Sequence, residues 1–399
     1  MNLYNIYCRL FQKVMFVGTH LLNWSFPKII KGQGSVKEIP GILASHGIDN
    51  VIVVTDPGLT KLGLPDGMLA ALKDAGIAYT VFDSVQANPT VDNVEAARAE
   101  YISAGCKGII AFGGGSPMDC AKTMGARIVR PKKSVQQLAG LLKIRRKLPF
   151  MIAVPTTAGT GSETTLAAVI TDSATHEKFP INDTHLLPAY AVLDPELTVG
   201  LPKKITSTTG MDALTHAVEA YIGSSNTKQT AEKAVEATQL IFKYLERAYN
   251  EGSDIEAREQ MLLASHYAGI AFTRAYVGYV HSIAHALGGL YGVPHGLANS
   301  VILPVMLDWY GKSAYKRLAQ LASAVGIQGG SDEEKAKLFI SDIRAMNKRM
   351  DIPEKFDFIK EEDIEFIVTR ALHEANPLYP VPKIMDRADC AAVVRSLMA

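Results

Sequence analysis

Gly108-Ile109-Ile110-Ala111-Phe112-Gly113-Gly114-Gly115-Ser116-Pro117-Met118-Asp119 is the stretch that decides the fold. An unbroken apolar run meets three glycines, then Ser and Pro, the residues that favour a helix start. A strand buried on both faces reads as a continuous apolar run, and such strands belong to parallel sheets covered by helices. The glycines let backbone N–H groups approach a ligand closely. A helix N-terminus beyond them adds unpaired donors and a positive dipole end. The pattern predicts a pyrophosphate site, with Ser116 as N-cap and Pro117 in the first turn. It is neither GxGxxG nor a P-loop, since no Gly-Lys-Ser/Thr follows.

The same alternation extends outward. Residues 51–55, 79–82 and 151–154 read as strands, and 64–75, 91–104 and 117–129 as helices. This is an α/β nucleotide-binding domain with a parallel sheet over residues 27–201. Beyond it, long helical periods cover 205–221, 227–250, 255–275, 281–290, 298–309, 314–325 and 332–350, with no strand pattern. Residues 202–399 are therefore expected to form an all-α domain, with the boundary at Leu201-Pro202.

Residues 1–26 stand apart as an N-terminal extension. Residues 1–22 are apolar and aromatic, interrupted by Arg9 and Lys13. No apolar run there reaches membrane-spanning length. The expectation is a segment packed on its own protein or on a partner subunit. A surface-lying amphipathic helix is the alternative.

At 399 residues with a formal net charge of +1, nothing points to nucleic acid. Cys8, Cys106, Cys120 and Cys390 form no CxxC pair and read as reduced thiols of a cytoplasmic protein. Between Asp119 and Glu163 the chain is free of acids. The basic residues there (Arg130, Lys132, Lys133, Lys143, Arg145, Arg146 and Lys147) read as solvated surface.

Asp56 ends the first of these strands. A carboxylate there accepts ribose hydroxyls and repels a 2′-phosphate, favouring NAD over NADP. A helix or turn cap is the competing role. Pro155-Thr156-Thr157-Ala158-Gly159-Thr160-Gly161-Ser162-Glu163 is a hydroxyl- and glycine-dense loop able to line the rest of a dinucleotide or a substrate.

Asp212 and His216, four apart, share a helix face, and His281 and His285 have the same spacing. His295 follows past a Gly-containing bend. A carboxylate with imidazoles suits Fe(II), Zn(II) or Co(II), which with an open position act as Lewis acids. From spacing alone, His281 and His285 are the natural second pair. His20, His46, His176, His185, His266 and His373 lack partners at ligand spacing and read as structural.

The phrases GGGSPMD, PTTAGTGSE, GMDALTHAVEAY and GYVHSIAHALGGLYGVPHGLAN resemble the iron-containing (group III) alcohol dehydrogenases, from about Pro27 to the C-terminus. The resemblance implies a nucleotide-binding domain, a helical domain and an active site in the cleft between them. It implies metal ligands at Asp212, His216, His281 and His295, with His285 a non-ligand that relays a proton. It implies cofactor contacts at Asp56, Asn88, Gly113, Gly114, Gly115, Ser116, Asp119, Thr156, Thr157, Thr165, Lys178 and Leu197, and a substrate pocket lined by Phe272. Residues 1–26 extend beyond the family's usual start. Ala167 replaces a common aromatic, and Tyr276 replaces a small residue. Residues 374–380 keep Asn-Pro but differ around it.

The implied activity is hydride transfer between NAD(H) and a small primary alcohol or aldehyde at Fe(II), or Zn(II), in a homodimer or larger assembly. The rivals are a zinc-dependent polyol dehydrogenase of the glycerol type, a lyase resembling dehydroquinate synthase, and a non-catalytic protein that binds NAD or metal. A lyase acting on a polyanion needs several basic groups, and the helical half has no such cluster beside its histidines.

Overall fold

The computed structural model describes residues 3–22, 24–174 and 178–399. Two compact units divide the chain: Asn23–Gly200, and Met1–Leu22 together with Leu201–Ala399. Helix α1 (Leu3–His20) precedes the first and belongs to the second.

The α/β unit runs β1 (Lys28–Lys31), α2 (Ile39–Ser45), β2 (Asn50–Val54), α3 (Pro57–Lys61), α4 (Asp66–Asp74), β3 (Ala78–Phe82) and α5 (Val91–Ser103). It continues through β4 (Gly108–Gly113), α6 (Gly115–Val129), β5 (Gly140–Leu141), β6 (Phe150–Pro155), β7 (Ala167–Thr171), β8 (Lys178–Asn182) and β9 (Tyr190–Leu193). Parallel pairing orders the main sheet β1-β9-β6-β4-β2-β3, and β5-β8-β7 form a small second sheet.

Successive strand residues feed opposite layers. Ile52, Val54, Ile109 and Ala111 face one core, and Val51, Val53, Ile110 and Phe112 the other. All eight are buried, which is why both strands read as unbroken apolar runs. Each of the Val, Ile and Phe side chains among them contributes about 1.5–3 kcal/mol.

The chain passes from β2 to edge strand β3, returns to β4 on the far side of β2, and continues to β6. The loops after β2 and β4 therefore leave in opposite directions, opening a crevice at the carboxyl ends of these strands. Asp56 follows β2, and Gly114 to Ser116 follow β4.

The helix after β4 starts earlier than expected. Gly114, in extended conformation, is the N-cap, so Ser116 lies inside the first turn and does not cap it. Its Oγ instead accepts from the Asn88 N–H at 3.3 Å. The strands β1, β5, β7, β8 and β9 were not among those read from the sequence; β1, β5 and β9 are only two to four residues long, and β8 carries Lys178, Pro180 and Asn182.

The helical unit contains α7 (Lys203–Ile222), α8 (Lys228–Asn250), α9 (Ile255–Ala275), α10 (Tyr279–Tyr291), α11 (His295–Tyr310), α12 (Tyr315–Ala324), α13 (Asp332–Arg349), α14 (Ile364–Ala375) and α15 (Arg387–Ser396). Its described residues hold no strand beyond an isolated bridge between Phe356 and Met398. From Thr206 to Ile222, α7 is buried almost all round, which makes it the core helix of the unit. Thr227 and Thr230 close a capping box at α8, and Asp254 caps α9.

No helix among the described residues is long and apolar enough to cross a membrane. The four cysteines are free and buried. The basic stretch braces its own loop: Lys133 Nζ donates to Lys143 O at 2.9 Å and Arg130 Nε to Ile144 O at 2.5 Å.

Candidate metal centre and nucleotide loop

Asp212, His216 and Glu219 occupy one face of α7 at i, i+4 and i+7. His281 lies in the first turn of α10, and His295 opens α11. One donor atom each from Asp212, His216, His281 and His295 falls within 4.8 Å of the others. Nε2 of His281 and of His295 stand 3.9 and 3.5 Å from Asp212 Oδ1. Two donors 2.1 Å from a tetrahedral metal are about 3.4 Å apart, so these spacings come near those of a coordination shell.

Three of the four candidate ligands are buried, whereas the His295 side chain is 39% exposed and marks the open side. His216 is sandwiched between Phe272, at 4.1 Å between ring centroids, and His281, at 4.5 Å. The approach of α11 to α7 depends on Gly296, where a Cβ would lie 2.5 Å from the Thr208 carbonyl oxygen.

Glu219 supports the ligands from behind. Its Oε2 accepts from His281 Nδ1 at 2.6 Å and from the Gly278 N–H at 2.9 Å, and its Oε1 accepts from the Val280 N–H at 2.8 Å. Burial pushes this carboxyl up to about 7, while the donors pull against it. Burial, reinforced by neighbouring imidazoles, holds His281 well below the usual histidine value. With its Nδ1 proton on Glu219, the neutral His281 presents an Nε2 lone pair to the centre. Just upstream, Tyr276 adopts φ 67° and ψ 176°, a region only glycine occupies freely.

Asn299 completes the set. Its Nδ2 lies 2.6 Å from Asp212 Oδ1, 3.0 Å from His295 Nε2 and 3.2 Å from His281 Nε2. The lone pairs of three ligands thus converge on one electropositive group. A carboxylate oxygen and three imidazole nitrogens at this spacing fit a divalent cation of the iron or zinc type.

His285 is not in this set. Its Nδ1 is 2.7 Å from Glu374 Oε1, its ring stacks on His295 at 5.1 Å, and it is 43% exposed. The pairing of His281 with His285 suggested by spacing therefore fails, because α11 supplies His295 in that place. Burial alone would raise Glu374, but His285 and the Tyr379 hydroxyl outweigh it and hold the carboxyl below its ordinary value.

On the α/β unit, Gly113 has φ 146°, and a Cβ there would lie 2.7 Å from the Pro117 ring. Thr156 N–H donates to Gly113 O at 3.2 Å, and the Thr157 side chain lies against Gly114. Gly115 faces Thr160 in the same way. Lys178 Nζ donates to Asn88 Oδ1 at 2.8 Å, so Asn88 ties Lys178 to Ser116. Asp56 is the N-cap of α3, its Oδ1 accepting from Gly58 and Leu59 N–H at 2.9 and 3.1 Å.

Three implied cofactor residues are engaged in supporting contacts. Asp119 accepts from Ser162 Oγ at 3.1 Å and from the Val169 N–H at 3.0 Å, and burial raises it to about 6. Thr165 meets Lys122, and Leu197 is packed in the core. Lys122 itself escaped the sequence reading. It is 1% exposed, and its Nζ reaches the carbonyls of Ser162, Thr165 and Ala167 at 2.5, 2.9 and 3.0 Å, plus the Thr165 hydroxyl at 2.8 Å. Burial lowers it to about 8.

Of the remaining histidines, His46 packs on Phe150 and His185 pairs with Asp183. His266 is buried in α9, and His373 lies in the last turn of α14. His176 lies outside the described residues, as does the side chain of His20. Glu219 and Asn299 were legible as i+3 and i+4 neighbours of His216 and His295. Glu374 and Tyr379 had no such signal.

The chain matches the family profile of iron-containing alcohol dehydrogenase over residues 27–195, and that of the C-terminal part of the Fe-containing alcohol dehydrogenase family over 206–398. It is 38% identical over 358 residues to alcohol dehydrogenase 4 of Schizosaccharomyces pombe, covering 88% of this chain and 83% of that one. It is 35% identical to the NAD-dependent methanol dehydrogenase of Bacillus methanolicus, covering 93% and 98% of the two chains. A crystal structure of 1,3-propanediol oxidoreductase superposes with a TM-score of 0.91 at 36% identity, over 95% of this chain and 100% of that one.

Proposed function

The chain belongs to the iron-containing alcohol dehydrogenase family and is a metal-dependent alcohol oxidoreductase; we propose that it moves hydride reversibly between NAD(H) and a small primary alcohol or its aldehyde. The observation that carries this reading is the convergence of Asp212, His216, His281 and His295 on one point. Fe(II) held there, or Zn(II) on the same donors, supplies Lewis acidity to an alcohol or carbonyl oxygen.

The chain's own residues do the rest. Glu219 fixes the His281 tautomer and Asn299 steadies Asp212. Phe272, stacked on His216, borders the substrate side. His285, exposed and next to His295, exchanges the alcohol proton with solvent, a task suited to imidazole near neutral pH.

NAD(H) supplies the hydride acceptor or donor. The N–H groups of Gly113 to Ser116 and the start of α6 would hold its pyrophosphate, bordered by Asn88, Lys178, Thr156 and Thr157, with Asp119, Thr165 and Leu197 as supports. Asp56 keeps one carboxylate oxygen outside its capping bonds, which suits a ribose diol better than a phosphate. Cytoplasmic residence, in keeping with four free buried thiols, and a homodimer complete the reading.

The test is NADH oxidation by anaerobically purified protein, loaded with Fe(II) or Zn(II), against a panel of short aldehydes with a chelator control. Chelator-sensitive turnover supports the reading. Bound metal and bound NADH without turnover on any aldehyde contradict it.

A further inference from the structure

We propose that segment 374–382 is a positioning device for His285, in which Glu374 and Tyr379 fix the imidazole and the N-terminal helix α1 locks the backbone that carries Tyr379. This rests on the assignment of His285 to proton exchange.

The Tyr379 hydroxyl donates to Glu374 Oε1 at 2.8 Å, the same oxygen that meets His285 Nδ1 at 2.7 Å. Two donors on one oxygen keep the carboxylate from swinging, and a proton held on Nδ1 leaves Nε2 as the working nitrogen. His281 receives the same treatment from Glu219, with Gly278 N–H as the second donor on the shared oxygen. Glu219 sits on the rigid core helix α7. Glu374 closes α14 instead, and Tyr379 lies on an irregular segment that needs its own support.

Part of that support comes from α1. Gln12 Nε2 donates to the carbonyls of Tyr379 at 2.7 Å and Pro377 at 3.1 Å. Arg9 donates to the carbonyls of Val381 at 2.6 Å and Pro382 at 2.9 Å, and also to Gln12 Oε1 at 3.0 Å. Gln12 is almost fully buried. These carbonyls belong to no helix or strand; the Tyr379 carbonyl also accepts from the Val381 N–H at 2.9 Å and Ser224 N–H holds Pro380 O at 2.7 Å, while α1 meets the carbonyls of Pro377, Val381 and Pro382. The family match begins at residue 27, after α1, so the helix that grips segment 377–382 lies outside the matched residues while the segment itself lies within them. The extension and the segment it grips form one device.

The experiment uses the full-length, metal-loaded enzyme with Gln12→Leu and Tyr379→Phe, each made in the wild type and in a His285→Ala background. Metal content, KM for NADH, kcat and isotope effects are read for all six proteins. Both single variants should keep one metal per chain and an unchanged KM for NADH. Their kcat should fall by about 10-fold, part of what a positioned acid–base group supplies. The solvent deuterium effect should rise and the effect of deuterated NADH should shrink, because proton exchange becomes the slower step. In the His285→Ala background neither substitution should lower kcat further.

Unchanged kcat in both single variants, or an equal fall with and without His285, overturns the proposal. A wild type without turnover, or a fully active His285→Ala enzyme, overturns the reading beneath it instead.

Discussion

His281 donates its Nδ1 proton to Glu219 across 2.6 Å, entirely inside the core. One bond thereby sets which nitrogen would face a metal, and the same carboxylate holds the two backbone N–H groups that start α10. Glu219→Gln places an amide N–H against one of these donors. The expected result is a metal affinity 10- to 100-fold weaker, roughly the usual effect of removing such a partner. Competition against a chelator measures it, and unchanged affinity would show that backbone geometry alone sets the His281 ring.

Gly296→Ala should push α11 from α7 and so part His295 from Asp212, whose Cβ the new methyl also meets at 3.5 Å. The added methyl meets a carbonyl oxygen of α7, which cannot swing aside like a side chain. We expect a stability loss of about 1–3 kcal/mol by urea unfolding, with loss of stoichiometric metal.

Lys122→Met should act on the nucleotide loop. The ammonium gathers three carbonyls of residues 162–167, and without it KM for NADH should rise about 10-fold while metal content stays the same. A pH signature goes with this. Burial lowers the folded value from 10.5 to about 8, so between these pH values the unfolded chain binds more protons than the folded one. Stability attributable to Lys122 therefore rises with pH across that window, by up to about 1.4 kcal/mol per pH unit, and Lys122→Met removes this rise. Urea midpoints of both proteins at pH 7.5 and 9.5 read the difference.

Asp56→Asn keeps an oxygen for the α3 cap but removes the charge. NADPH should gain on NADH in kcat/KM by about 10-fold. No change in the ratio would leave Asp56 with its capping role alone.

What the sequence revealed follows from how local each signal is. Residues 108–119 carried strand, turn and helix start in one stretch, because a strand buried on both faces leaves an unbroken apolar run. Asp212 and His216 were legible from helical periodicity. Choosing His295 over His285 came from the family resemblance and not from spacing, because the choice is made by α11 packing on α7 through Gly296, a contact between distant segments. Glu374 reaches His285 from 89 residues away, and Gln12 reaches Tyr379 across 367. No spacing rule spans such distances. The N-cap of α6 was misplaced at Ser116 for a smaller reason: Gly114, already extended, takes the role without a side chain.

Whether Asp212, His216, His281 and His295 hold one catalytic metal is read from metal content measured alongside NADH oxidation in wild type, Asp212→Ala and His285→Ala. Wild type and His285→Ala should each carry one divalent cation per chain, with slower turnover in the latter, and Asp212→Ala should show neither metal nor turnover. Stoichiometric metal and turnover in folded Asp212→Ala would contradict the four-residue assignment.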